Sequence, residues 1–261
     1  MMNFPKISVI GAGNVAHSLV PSLLSAGFQI ERVAAKTEDR VKQLAAAYNL
    51  EWTTHLEKIQ SKIIIIAVSD SALPSVAQAL GKDPGRFVFH TTGSQDLNAV
   101  ADFHENAGVL YPLQTFSTQR IVSFHDIPLC IESSNTKAAE TLEHIAKKLS
   151  TNVHQINSEE RRQLHVAAVF ACNFTNLMYT FASDVLAQRE IDFHLLAPLI
   201  NETAKKASTN KPSEVQTGPA IRQDNDTLEK HVQQLSPEMA EKYLQLSEWI
   251  KNRFIFDYKE K

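Results

Sequence analysis

Short apolar segments alternate with longer amphipathic segments through the first half of the chain. The segment 63–68, with the sequence IIIIAV, is apolar on both faces, which indicates a strand buried between two layers of helices in a parallel sheet. The same alternation predicts strands at 6–10, 30–35, 62–68, 86–90, 107–110, 127–132 and 153–156. Helices are predicted at 14–26, 38–48, 71–80 and 136–149. The fold class expected from this order is α/β with a parallel sheet.

Strand patterns stop near residue 155, and only helical patterns follow. We therefore predict an α/β domain over residues 1–155 and an all-α domain over residues 156–261. The segment 158–188 is apolar nearly all round, so as a helix it needs neighbours on every side, from its own domain or from a second subunit. We expect a homodimer that forms through the C-terminal domain.

Composition and charge exclude several classes of function. A formal net charge of −3, without any run of Lys or Arg, argues against a nucleic-acid partner. The longest apolar run, 63–68, is too short to cross a bilayer, so no membrane partner is expected. Cys130 and Cys172 form no Cys-x-x-Cys pair, and the N-terminal residues show no secretory signal, which predicts a cytoplasmic protein with reduced thiols. The ten histidines form no His-x-x-x-His pair, so no metal site is expected.

A glycine-rich turn lies between the first predicted strand and the first predicted helix. Its sequence, GAGNVA at 11–16, fits the Gly-x-Gly-x-x-Ala fingerprint of Rossmann-type dinucleotide-binding domains. The first glycine permits the tight turn, the second lets the backbone approach a pyrophosphate, and the helix start offers free N–H groups to the phosphates. The turn therefore predicts five cofactor-binding residues, Gly11, Ala12, Gly13, Asn14 and Val15.

The end of the second predicted strand distinguishes NAD from NADP, because an acidic residue there would repel a 2′-phosphate. This chain has Lys36, Thr37 and Arg40 at that position, two cations and a hydroxyl that can bind the phosphate. An exposed helix start with scattered charges is the alternative interpretation. We predict NADP(H) as the cofactor.

Polar residues also follow two later strands, and ligands of open parallel sheets lie beyond the carboxyl ends of the strands. Val68, Ser69 and Asp70 are predicted to border the nicotinamide ribose. Thr92, Gly93 and Ser94 are predicted to offer hydroxyl and N–H groups to a substrate. Ser, Thr, Asp and Gly are also common in turns and helix caps, and that alternative remains open for each of them.

Four stretches together resemble a known family: 11–16, YPLQTF at 111–116, the helix at 165–173, and TGPAIRQD at 217–224. The chain resembles NADP oxidoreductases with a Rossmann-like N-terminal domain and a C-terminal domain of unknown function. These are similar to 6-phosphogluconate dehydrogenase and pyrroline-5-carboxylate reductase, and are related to F420-dependent NADP reductases. Gln223 departs from the glycine expected in the last stretch.

The resemblance implies a proton donor and an asparagine on the long helix that enters the cleft between the domains. The matching residues are His165, with Asn173 to orient the substrate and Asn176 as a further substrate contact. At about 100° per residue, Asn176 lies about 20° and Asn173 about 80° from His165, which predicts one polar stripe. A role for these residues in joining helices or subunits is the alternative.

Arg222 is predicted to bind a substrate carboxylate or phosphate, with an ion pair to Asp224 as the alternative, and Asp224 is expected to cap a helix. Together these features predict an NADP(H)-dependent oxidoreductase that transfers hydride to a small carbonyl or imine substrate between the domains. The rival hypothesis is a non-catalytic NADP(H) sensor or regulatory module that acts as a dimer.

Overall fold

A computed structural model describes residues 4–258, with side chains for residues 4–254. Its sheet has eight strands in the order β3-β2-β1-β4-β5-β6-β7-β8. The strands are β1 Ile7–Ile10, β2 Ile30–Ala34, β3 Trp52–Thr53, β4 Ile63–Ile66, β5 Phe87–His90, β6 Asn106–Pro112, β7 Leu129–Ser133 and β8 Val153–Gln155. The predicted α/β fold is confirmed, and seven of these strands match predicted ones. The two-residue strand β3 is too short to give a periodic pattern.

One pairing in the sheet is antiparallel, between β6 and β7. The chain between these strands contains no helix, whereas a parallel return needs a crossover connection that is usually helical. The six other pairings are parallel, so β1, β2, β4, β5 and β6 all end at the same edge of the sheet.

Helices cover both faces of the sheet, as the apolar strand at its centre requires. Ile63 and Ile65 pack into a core with α1 (Asn14–Ser25), α2 (Glu38–Ala47) and α5 (Thr136–Leu149). Ile64 and Ile66 pack on the opposite face with α3 (Leu73–Ala79) and α4 (Asn98–Ala101). All four isoleucines have no exposed surface, which confirms that this strand is buried on both sides.

Within residues 4–258, helices alone follow β8. They are α6 Ser158–Ala168, a π-helical segment Val169–Phe174, α7 Thr175–Ala187, α8 Ala197–Thr209, α9 Asn225–Val232 and α10 Pro237–Tyr258, with two short 3₁₀-helices at Phe193–Leu196 and Pro212–Glu214. The chain forms two compact units, Met1–Phe174 and Thr175–Lys261. Helix α6 therefore belongs to the unit that contains the sheet. A helical domain that begins at residue 156 remains a prediction.

The helical stretch Ser158–Ala187 is long and apolar enough to span a membrane by length and composition, with a mean hydropathy of 1.2 over its most apolar window. This helix mixes apolar and small residues, so a search for uninterrupted apolar runs does not detect it. None of that window is buried within the chain. The described part of the chain therefore does not surround this helix with neighbours on every side, which the sequence predicted from its own domain or a second subunit.

Candidate active site

A cavity of about 830 Å³ lies at the carboxyl ends of β1, β2 and β4. This volume is within the range of small-molecule sites, which is roughly 300–1,000 Å³. Ten of the eleven predicted cofactor-binding residues line it: Gly11, Ala12, Gly13, Asn14, Val15, Lys36, Thr37, Arg40, Val68 and Ser69. The fold thus brings three separate loops to one cavity, which we call the first cavity.

The two glycines of the fingerprint differ in what surrounds them. Gly11 has a φ of +130°, and a Cβ there would overlap the carbonyl of Ala67. Its N–H donates to the Ala34 carbonyl at 2.7 Å, so Gly11 is part of the packing of the sheet edge. A Cβ on Gly13 would meet no described atom within 4 Å, because it would project into open space beside the helix start. The open space beside Gly13 is therefore large enough to fit a phosphate group.

Helix α1 begins at this opening without a side-chain cap, and Gly13 is its N-cap residue. The first N–H groups of a helix have no partner within the helix and carry a partial positive charge. An uncapped helix start beside a cavity suits the oxygens of a diphosphate. The residues present therefore fit the phosphates of a dinucleotide.

Lys36 and Arg40 lie on the wall of the first cavity with Thr37, where the second strand ends. Within the described side chains, neither cation forms an ion pair. The nearby carboxylate of Glu38 instead pairs with Lys42 at 2.7 Å. This arrangement leaves two positive charges on the wall of the first cavity, and their contact with a 2′-phosphate stays a prediction.

Asp70 is the predicted cofactor residue that does not line the first cavity. Its carboxylate accepts a hydrogen bond from the hydroxyl of Ser94, a predicted substrate residue. The bond joins the loop after β4 to the loop after β5. For Asp70 and Ser94 the structure therefore favours the alternative interpretation, a contact between turns. Contact of Asp70 with the cofactor and of Ser94 with a substrate remains a prediction.

A second cavity, of about 500 Å³, lies where β6 meets α6 and the π-helical segment. The predicted catalytic residues His165 and Asn173 both line it. The other lining residues are Tyr111, Leu113, Gln114, Thr115, Leu164, Ala167, Ala168, Val169, Ala171 and Cys172. Because β6 runs parallel to β5, this second cavity opens at the same edge of the sheet as the first.

Tyr111 and His165 form a pair at the wall of the second cavity. The Tyr111 hydroxyl lies 3.1 Å from His165 Nδ1, and the two rings meet edge to face. Gly93 packs against both, since a Cβ there would lie 2.7 Å from His165 Nδ1 and 2.8 Å from the Tyr111 ring. Burial raises the pKa of Tyr111 to about 12. Sequence reasoning did not assign Tyr111 a role, although its place at the end of a parallel strand is a signal.

Thr92 is directed into the protein rather than into either cavity. It is 5% exposed, and its hydroxyl and N–H both lie within hydrogen-bond distance of His90 Nδ1, at 3.2 and 3.3 Å. Burial lowers the pKa of His90 to about 3, so this imidazole is neutral and can accept from Thr92. These contacts thus favour a role of Thr92 in the structure of the turn over contact with a substrate.

Arg161, in the first turn of α6, is a residue that the sequence reasoning missed. Its side chain has no exposed surface and forms an ion pair with Glu132 on β7 at 2.5 Å. It also donates to the backbone carbonyl of Gln95 at 2.7 Å and to the hydroxyl of Ser158 at 3.1 Å. These bonds tie α6 to the loop after β5. The sequence does not indicate that Arg161 is buried, because it is one of several charged residues at the start of the helix.

The π-helical segment Val169–Phe174 changes the predicted polar stripe, because a π turn holds more residues than an α turn. Residues beyond it are therefore rotated from where a uniform α-helix would place them. Asn173 lines the second cavity with His165. Asn176 is exposed in the other compact unit and is not among the lining residues.

Arg222 also lies in the unit Thr175–Lys261, where it is exposed. The alternative ion pair between Arg222 and Asp224 is not formed among the described residues. Asp224 caps α9, with its carboxylate accepting from the Thr227 N–H at 3.1 Å and the Thr227 hydroxyl at 2.8 Å, which confirms the predicted cap. Gln223 has a φ of +55°, consistent with the glycine expected there.

Residues 6–92 match the family described as NADP oxidoreductase coenzyme F420-dependent, and residues 127–250 match a domain of unknown function, DUF2520. A crystal structure from Bacteroides fragilis, assigned as an NADP oxidoreductase, is 40% identical and covers 97% of this chain and 100% of that chain, with a TM-score of 0.90.

More distant structures share the fold. The reductive aminase from Aspergillus terreus, solved with NADPH and ethyl-5-oxohexanoate, is 13% identical over 97% of this chain and 94% of that chain, with a TM-score of 0.69. The 1-pyrroline-5-carboxylate reductase from Streptococcus pyogenes is 13% identical over 96% of this chain and 99% of that chain, with a TM-score of 0.62. A segment of 54 residues is 41% identical to human glucose-fructose oxidoreductase domain-containing protein 2, and spans 21% of this chain and 14% of that protein.

Proposed function

The chain belongs to the family of NADP oxidoreductases that carry a DUF2520 domain, and on that premise we propose that it transfers hydride from NADPH to a small carbonyl or imine compound. The family is the one predicted from the sequence motifs. The observation that carries the proposal is that two cavities open at one edge of the sheet, one with the glycine turn and the other with His165.

The first cavity would hold the cofactor. The backbone at Gly13 and the start of α1 would bind the pyrophosphate, and Lys36 and Arg40 would bind the 2′-phosphate. Bound there, NADPH supplies a hydride. The protein's own contribution is to bind and orient the cofactor and to favour the phosphorylated form, because Lys36 and Arg40 would pair with a 2′-phosphate that NADH lacks.

The second cavity would hold the substrate. We propose His165 as the general acid, which gives a proton to the oxygen or nitrogen of the substrate as hydride adds to the carbon. Asn173, on the same wall, would orient the carbonyl or imine. The substrate class is supported by the ligands and names of the reductive aminase and the pyrroline-5-carboxylate reductase that share the fold.

The test is to measure NADPH oxidation with a panel of ketones, ketoacids and cyclic imines, comparing the wild type with His165→Ala. We expect turnover with at least one compound, and a reduction of about 100- to 10,000-fold in His165→Ala, the usual effect of a general acid. His154→Ala is the matched control, since His154 is exposed on β8 and bonds Asn152. Tight NADPH binding without turnover of any compound would favour the sensor instead.

We also propose that the protein is a homodimer formed through the predicted C-terminal domain, residues 156–261, at the long helix with which that domain begins. Val166, Phe170 and Phe174 recur every four residues and are 58%, 64% and 47% exposed, so one side of the long helix presents a row of apolar side chains. Burying such a row against a second copy would remove apolar surface from water. Light scattering should give twice the mass of the chain, and Phe170→Asp should reduce it to one chain. A wild-type monomer at micromolar concentration would contradict the dimer.

A cytoplasmic location and the absence of nucleic-acid and membrane partners remain predictions. For the membrane, the discriminating measurement is whether the wild type co-sediments with phospholipid vesicles. We expect it to stay in the supernatant, because a dimer would cover the same apolar row that a membrane would take up.

A further inference from the structure

We propose that Tyr111 is a positioning residue whose hydroxyl donates to His165 Nδ1 and so holds the imidazole in the tautomer that carries its proton on Nε2. No sequence motif assigned this role to Tyr111. The tautomer itself is a property of the free protein, whereas its consequence for catalysis rests on the function proposed above.

Tyr111 and His165 both lie on elements that the fold holds rigidly. Tyr111 lies near the end of β6, which is paired on both sides, and is directly opposite Cys130 of β7. Helix α6 is fixed at its start by a capping box between Asn157 and Glu160, and by the ion pair of Arg161 with β7. A separation of 3.1 Å between two side chains on such elements is therefore maintained by the fold.

The hydrogen bond between the two side chains runs from the phenol to the imidazole. Burial keeps the pKa of Tyr111 near 12, so the phenol retains its proton at every ordinary pH and can donate. The charged and titratable groups that act on it are Cys130 and Asp70, which raise its pKa, and Arg161, which lowers it. A neutral imidazole has one donor and one acceptor nitrogen. When Nδ1 accepts from the phenol, the proton must be on Nε2.

Packing against Gly93 holds Tyr111 and His165 together. Gly93 leaves no space for a larger residue, because a Cβ would lie within 2.8 Å of both side chains. No left-handed backbone conformation requires glycine at this position, so the requirement is steric. The loop that carries Gly93 is itself fixed by the bond from Arg161 to Gln95. Three elements, the β5 loop, β6 and α6, thus meet at His165.

The Nε2 proton of the neutral imidazole would donate a hydrogen bond to the substrate oxygen or nitrogen, which polarises the carbonyl or imine and stabilises the charge that develops as hydride adds. With Nδ1 occupied by Tyr111, only Nε2, on the far edge of the ring, is free to donate. Without the tyrosine hydroxyl, the ring can adopt either tautomer and can turn about its side-chain bonds. The fraction of molecules with a proton correctly placed would then decrease.

The tautomer can be tested without any substrate. The protein is labelled with nitrogen-15 in histidine, and long-range nitrogen–proton correlation spectra are recorded on the cofactor-free wild type, with His165 assigned from its missing signals in His165→Gln. We expect an unprotonated Nδ1 and a protonated Nε2 in the wild type, and a shift toward averaged nitrogens in Tyr111→Phe. Tyr48→Phe, a half-buried tyrosine on another element, is the control that should leave His165 unchanged. A wild-type proton on Nδ1, or an unchanged tautomer in Tyr111→Phe, overturns the inference.

Kinetics on an accepted substrate test the consequence. Tyr111→Phe should lower kcat about five- to tenfold, the effect of one hydrogen bond of ordinary strength, with little change in KM. Gly93→Ala, which displaces the pair sterically while leaving both side chains, should lower kcat as well and should broaden the His165 signals. An altered tautomer with unchanged kcat would show that the bond does not serve catalysis and overturns the positioning role. If no compound is turned over, the reductase proposal fails, while the spectra still decide the tautomer.

Discussion

The sharpest prediction concerns the two glycines of the phosphate turn, because the structure gives them different reasons for lacking a side chain. Gly11→Ala and Gly13→Ala each add one methyl group, two residues apart. In Gly11→Ala the methyl group overlaps the backbone of Ala67, and the φ of +130° is unfavourable for alanine. In Gly13→Ala it meets no described atom within 4 Å, and the φ of −93° suits alanine.

The expected magnitudes follow from these surroundings. For Gly11→Ala, backbone strain costs about 1–3 kcal/mol and overpacking costs a similar amount, so the free energy of unfolding should fall by roughly 2–6 kcal/mol. For Gly13→Ala, the free energy of unfolding of the cofactor-free protein should stay within about 1 kcal/mol of the wild type. Loss of one hydrogen bond to a charged phosphate costs about 1.5–3 kcal/mol, so the Kd for NADPH should rise roughly 10- to 100-fold.

The assays are denaturant unfolding of the cofactor-free protein and titration with NADPH followed by fluorescence. Gly81→Ala is a matched control for backbone strain alone, since Gly81 has a φ of +68° with no described atom near its Cβ, and lies outside the lining of the first cavity. If Gly11→Ala destabilises no more than Gly81→Ala, the overlap with Ala67 is unimportant. If Gly13→Ala binds NADPH as tightly as the wild type, the pyrophosphate does not lie against this turn.

Three further predictions concern charge, pH and backbone conformation. Lys36→Ala and Arg40→Ala should each raise the Kd for NADPH about tenfold and leave the Kd for NADH nearly unchanged. Each substitution removes one contact to a phosphate that NADH lacks. Equal effects on both cofactors would contradict the assignment of Lys36 and Arg40 to the 2′-phosphate. The folded protein holds the pKa of His90 at about 3 against an ordinary value of 6.5, so the unfolded chain binds the extra proton between these values. The free energy of unfolding should therefore fall as pH is lowered from 6.5 toward 3, by up to about 1.4 kcal/mol per pH unit, and urea unfolding at pH 7 and pH 5 should show a smaller difference in His90→Gln. Gln223→Gly should raise the free energy of unfolding by about 0.5–1 kcal/mol, since glycine adopts the φ of +55° without steric cost; a loss of stability would indicate that the Gln223 side chain has its own contacts.

The first cavity shows how much of a site can be predicted from sequence. The glycine turn, the cations at the end of β2 and the residues Val68 and Ser69 were all found from the sequence, and the structure brings them together. Each of these signals is local, since it depends on the residue types beside a strand end. The parallel sheet then places the strand ends at one edge, so local signals combine without knowledge of the packing.

The second cavity shows what could not be predicted in this way. Tyr111 and His165 are 54 residues apart, and their contact depends on how α6 packs against β6. The bond between Ser94 and Asp70 and the burial of Arg161 likewise join elements that are distant along the chain. Their residue types are common in turns and at helix starts, so they give no signal of these contacts.

By itself the sequence determined the order of the elements, the α/β fold, the phosphate turn and the choice of NADP(H) as the predicted cofactor. Hydrophobic periodicity and the backbone freedom of glycine act within a few residues, and both can be read from neighbouring positions. Only the tertiary structure decided which polar residues meet, that Thr92 is directed toward His90, and that a π-helical segment precedes α7. Those features depend on the register of strands and the rotation of helices, which packing across the whole core determines.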